Sequence, residues 1–106
     1  MDIPKSDVQF IKRTLLPWAN LNAIYLRWSN SKKKWPDIWC KRTDTPIIIV
    51  TQEWARQNVH ERRKRLVHEF LHLRGLEHGM IKNREFSTYP DKDEYSKFVY
   101  RRLING

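Results

Sequence analysis

The chain has 106 residues, of which 40% are hydrophobic and 31% charged, a composition typical of a small globular domain and not of a disordered segment. Its single cysteine, Cys40, excludes an internal disulfide and a cysteine-rich zinc site, and suits a reducing, cytoplasmic compartment. The longest aliphatic run, residues 47–50, is far shorter than the roughly 20 residues of a membrane span, and we see no secretory signal. We therefore expect a soluble protein without a membrane partner. Lys and Arg exceed Asp and Glu by nine, which leaves nucleic acid open as a partner.

The spacing of apolar residues divides the chain into helices and strands. We expect an N-terminal helix that stops at Pro17, three strands, a short helix, a long helix capped by Gly75 and a last helix. The predicted bounds are, in chain order, 6–16, 23–28, 38–43, 47–51, 52–57, 59–74 and 90–103. A polar loop joins the first two strands, which predicts a hairpin. Together these elements predict an α+β fold with a small three-stranded sheet, in one domain spanning residues 1–106.

The strongest functional signal is the sequence HEFLHLRGLEH at residues 68–78. On a helix, His68 and His72 lie one turn apart and can share one Zn²⁺ ion. Glu69 lies about 100° around the helix from His68, where it can take a proton from a metal-bound water without being a ligand. The apolar neighbours predict that all three side chains are buried, and buried polar groups need partners. The pattern predicts one catalytic zinc ion that hydrolyses peptide bonds in a peptide or protein substrate.

A hydrolytic zinc ion needs a third protein ligand and one open position. In one interpretation, Gly75 turns the chain so that His78 completes a three-histidine site. That site resembles the metzincin pattern, which implies a longer chain than the 28 residues that follow His78 here. In the other interpretation, the ligand is an acid on the last helix, and Glu94 lies one turn before Phe98 on its apolar face. We favour Glu94, and three other acids remain as alternatives: Glu77, Glu85 and Asp91.

The order of elements, the extended HExxHxxGxxH motif and the later glutamate together resemble the minigluzincins, a family of small soluble zinc peptidases. The resemblance covers nearly the whole chain. It implies that His68 and His72 bind zinc, that Glu69 is the general base, and that a later glutamate, which we map to Glu94, is the third ligand. It also implies a latent form, in which a chain segment or a second copy in a homodimer or larger oligomer blocks the cleft.

Two other functions stay open beside the peptidase. The net charge and the basic run at residues 62–65 suit nucleic acid, although such a run can also be a solvated helix face. Three tryptophans could stack on bases: Trp28, Trp35 and Trp39. Residues 68–78 are also similar to the three-histidine motif of a zinc-dependent endoribonuclease family, which has a small residue in place of Glu69. The second alternative is a non-catalytic module that binds metal or nucleic acid.

A peptide substrate can bind by adding as a strand to an exposed sheet edge near the metal. Residues 47–51 immediately precede the helices that lead to His68, which makes this strand the candidate edge. The alternative is that the same strand is buried in the core.

Overall fold

The computed structural model describes residues 3–29, 38–75 and 94–105, with the backbone alone for Glu94 and Tyr95. It confirms the α+β class. The elements are α1 (Lys5–Phe10), a π-helical turn (Ile11–Leu15), α2 (Leu16–Ala19), β1 (Tyr25–Trp28), β2 (Ile38–Lys41), β3 (Ile47–Val50), α3 (Gln52–Ala55), α4 (Val59–Leu73) and α5 (Glu94–Asn105). Within these three ranges, no helix has both the length and the apolar character needed to cross a membrane.

The N-terminal helix does not stop at Pro17, so that prediction is wrong. A proline lacks the backbone N–H and crowds the carbonyl four residues earlier in an α-helix. Here the residues Ile11–Leu15 form a π-helical turn, whose wider spacing accommodates the proline. The helix continues to Ala19 and ends at Asn20, which has a left-handed φ of 57°, a conformation that asparagine tolerates well.

The sheet has the strand order β1-β3-β2, with β1 parallel and β2 antiparallel to β3. The predicted hairpin between the first two strands is therefore wrong, because β3 lies between them. The candidate edge at residues 47–51 is also wrong, because β3 is the central strand and its Ile48 and Val50 are fully buried. Four consecutive β-branched aliphatic residues suit a strand with neighbours on both sides.

One hydrophobic core joins the inner face of the sheet to the helices. Its fully buried members are Leu15, Ile48, Val50, Trp54, Leu66, Val67 and Phe70. The strand register places Trp28 on the inner face, opposite Val50, and Trp39 on the outer face, opposite Ile49. Trp28 and Trp39 therefore do not form a shared platform for stacking bases, and Trp35 lies outside the described residues.

A buried ion pair connects α1 to α4. The Asp7 side chain is fully buried, its Oδ2 accepts a hydrogen bond from Arg62 Nε at 2.6 Å, and its Oδ1 lies 3.5 Å from Arg63 Nε. One residue further, Lys64 pairs with Glu61 at 2.9 Å. Arg62 and Arg63 thus pair with a buried carboxylate and Lys64 with a partly exposed one, and the run is not simply a solvated helix face.

Candidate metal centre

Local chemistry fixes both ends of α4, the helix that carries the HExxH motif. Asn58 caps the start, where its side-chain oxygen accepts a hydrogen bond from the Glu61 N–H at 3.0 Å. Gly75 follows the end with a φ of 94°, which confirms the predicted glycine cap. The buried face between these caps sets the rotation of the helix, and its members are Leu66, Val67, Phe70 and Leu71. The directions of the motif side chains follow from that rotation.

The imidazole rings of His68 and His72 meet at their Nε2 atoms. Their Nε2 atoms are 3.1 Å apart, and the ring planes are inclined by 82°. Two nitrogens bound to one tetrahedral zinc ion at 2.0–2.1 Å are separated by about 3.3 Å. The observed separation is that of a hydrogen bond between the two rings, and it also fits a shared ion. Both histidines are only partly buried, contrary to the prediction that they are buried, whereas Glu69 is 7% exposed, as predicted.

Ser96 on α5 contacts the first histidine of the motif. Its Oγ lies 3.0 Å from His68 Nδ1, and the residue is almost fully buried. Metal-binding histidines usually use their second ring nitrogen in this way, which fixes the tautomer and aims the other nitrogen. Ser96 was not among the predicted site residues; in the structure it lies one helical turn before the buried Tyr100, on the inward face of α5.

The edge strand β2 brings Cys40 to Glu69. Burial, the negative charge of Glu69 and the hydrogen bond to that carboxylate raise the pKa of the Cys40 thiol to about 12. The thiol is therefore protonated at neutral pH and donates its hydrogen to Glu69. This contact was not predicted, because a lone cysteine on a strand carries no signal for a partner on a distant helix.

The third ligand stays a prediction. Helix α5 begins at Glu94, two residues before the serine that contacts His68, so its backbone lies near the histidine pair, but its side chain lies outside the description. The alternatives Glu77, His78, Glu85 and Asp91 also lie outside the described residues. Among the side chains that the structure describes, no third His, Cys, Asp or Glu joins His68 and His72.

No protein-family model, curated protein or solved structure matches this chain. The resemblance to minigluzincins therefore stays an expectation based on the motif. The positions of His68 and His72 and the burial of Glu69 are the observations that bear on a metal site.

Proposed function

We propose that this protein is a zinc-dependent endopeptidase. The observation that carries the proposal is the convergence of the His68 and His72 Nε2 atoms on the helix that also carries the buried Glu69. These two histidines would hold the zinc ion, with Glu94 as the third ligand. When bound, zinc would polarise the carbonyl of the scissile peptide bond and lower the pKa of the attacking water.

Glu69 acts as the general base and then as the acid in this reaction. Its carboxylate accepts a proton from the attacking water and transfers it to the leaving amine. The hydrogen bond from the Cys40 thiol supports this role. This bond restrains the Glu69 carboxylate, and the thiol keeps its own proton. Burial of Glu69 excludes most of the solvent from the carboxylate.

The position of β2 supports a peptide as the substrate. This strand lies at the sheet edge, pairs with β3 alone in the described part of the chain, and contacts Glu69 through Cys40. An extended peptide can pair with such an edge through backbone hydrogen bonds. The peptide would then lie next to the proposed general base.

The nucleic-acid alternatives have less support. Arg62 is engaged in a buried ion pair and Lys64 pairs with Glu61, and Trp28 and Trp39 lie on opposite faces of the sheet. The similar endoribonuclease motif has a small residue where this chain has Glu69. An acid that can act as a base at this position favours peptide hydrolysis.

The test combines zinc content with cleavage of an unstructured protein and quenched fluorescent peptides. We expect one zinc per chain and a loss of cleavage by about 10²–10⁴-fold in Glu69→Gln, with zinc content unchanged. Glu53→Gln on α3 is the matched control and should retain activity. A protein that stays free of zinc in excess zinc at neutral pH would contradict the proposal. So would peptide cleavage that survives Glu69→Gln, or a zinc-loaded protein that cleaves no substrate in its monomeric or oligomeric fractions.

A further inference from the structure

A groove between α4 and α5 is lined, among the described side chains, by neither His68 nor His72. It encloses about 330 Å³, within the size range of small-molecule sites. Both helices line it, through His60, Glu61, Lys64, Lys97, Tyr100, Arg101 and Ile104. On α4, His60 and Lys64 continue at four-residue spacing the stripe that holds His68 and His72. The groove therefore begins one helical turn from the candidate metal centre.

Positive charge dominates this groove. Its described lining has three cations, Lys64, Lys97 and Arg101, and one carboxylate, Glu61, which leaves a net charge of +2 when His60 is neutral. A phosphate monoester carries about −1.5 to −2 at pH 7. The charge of the groove matches that of such a dianion.

The carboxylate of Glu61 shows that an oxyanion is stable in this groove. Its two oxygens lie 2.9 Å and 3.2 Å from Lys64 Nζ. The hydrogen bond from Lys64, followed by the charges of Lys64, Arg65 and Lys97, lowers the pKa of the Glu61 carboxyl against the opposing effect of burial. The Glu61 side chain is 36% exposed, so it can turn towards solvent when another anion takes its place.

One end of the groove is apolar. Ile104 is 44% exposed and lies one turn after Tyr100, whose hydroxyl oxygen is 2.7 Å from His60 Nδ1. An exposed isoleucine beside cations can contact the hydrophobic part of a ligand that is anionic at its other end. This pairing favours an amphipathic ligand over a bare inorganic ion.

We propose that the groove binds a small phosphate monoester with an aromatic or other apolar body. Arg101 and Lys97 bind the phosphoryl oxygens. Lys64 gives up its ion pair with Glu61 and binds the same phosphoryl group, and the apolar body lies against Ile104. The guanidinium of arginine matches two phosphate oxygens, and lysine adds a compact positive charge. The inference is independent of the proposed peptidase activity, because the described lining of the groove includes none of His68, Glu69 and His72.

The test is calorimetric titration of the zinc-equilibrated protein with phenyl phosphate at physiological ionic strength. We expect saturable 1:1 binding that is weakened about tenfold by Arg101→Gln and strengthened by Glu61→Gln. Arg102→Gln is the matched control, because Arg102 is the next exposed cation on α5 and places its guanidinium over the Phe98 ring, 5.5 Å from its centroid. That control should change the affinity less than about twofold.

Several results would overturn the inference. Equal weakening by Arg101→Gln and Arg102→Gln would indicate diffuse attraction to a basic protein. Loss of binding in a folded His72→Ala variant would assign the phosphate to the metal. Inorganic phosphate or benzoate that binds as tightly as phenyl phosphate would refute the ligand chemistry, and an oligonucleotide that binds where phenyl phosphate does not would assign the surface to nucleic acid.

Discussion

The two halves of α4 use polar side chains in different ways. In the first half, opposite charges meet, as in the pairs of Arg62 with the buried Asp7 and of Lys64 with the partly exposed Glu61. In the second half, like groups meet, because His68 and His72 direct nitrogens at each other across 3.1 Å. Opposite charges in contact stabilise each other, whereas two imidazole nitrogens at this distance can also share one zinc ion. The first half therefore holds α1 against α4 and lines the groove beside α5, and the second half has the features of a metal site.

Two histidines of the same helix give the most direct test of this difference between its halves. We expect His72→Ala to weaken zinc binding by roughly 3–4 kcal/mol, which is several hundredfold in affinity. This value is about one quarter of the zinc-binding free energy of a four-ligand site. His60→Ala is the matched change in the first half, where it removes the hydrogen bond to Tyr100. It should lower the free energy of unfolding by about 1 kcal/mol and leave zinc binding unchanged. Chelator competition measures both affinities, and equal zinc affinity in the two variants would erase the distinction between the halves.

The buried ion pair of the first half is open to a stability test. Asp7→Asn removes the charge that the two arginines share, and it should lower the free energy of unfolding by about 3 kcal/mol. Asp44→Asn, at an exposed bend, is the control, and we expect it to change stability by less than about 0.5 kcal/mol. Urea denaturation monitored by tryptophan fluorescence gives both values. A similar small change in both variants would mean that Asp7 does not hold α1 against α4.

The smallest effect is expected at the serine that contacts the metal centre. Ser96→Ala removes the hydrogen bond to His68 Nδ1, and we expect zinc affinity to fall about 10–100-fold while the fold is retained. Ser6→Ala on the exposed side of α1 should have no effect on affinity. Affinity that survives Ser96→Ala unchanged would show that the serine only fills space, and NMR of the His68 ring would report whether Nδ1 loses its partner.

Local signals predicted α4 well. Asn58, Gly75 and the four-residue spacing of its apolar positions act within one or two helical turns, and the observed bounds of this helix agree with the predicted ones to within one residue. The N-terminal helix shows the limit of such rules. A π-helical turn accommodates Pro17, and no local sequence pattern predicted that turn.

The sheet could not be predicted in the same way. Each strand was placed near its observed position, but the strand order was wrong, because pairing is a competition among segments distant in the chain. The central strand is β3, whose Ile48 and Val50 are buried, and β2 is the edge strand beside Glu69. The candidate strand for pairing with a substrate is therefore β2 and not β3.

The HExxH motif, its helix and the α+β class follow from the amino-acid sequence alone, since each depends on residue types at spacings shorter than a few helical turns. The groups that surround the motif come from distant parts of the chain and were found from the tertiary structure. Ser96 lies 28 residues from His68, and Asp7 lies 55 residues from Arg62. Contacts across such distances depend on how the whole chain packs, and a local pattern does not encode them.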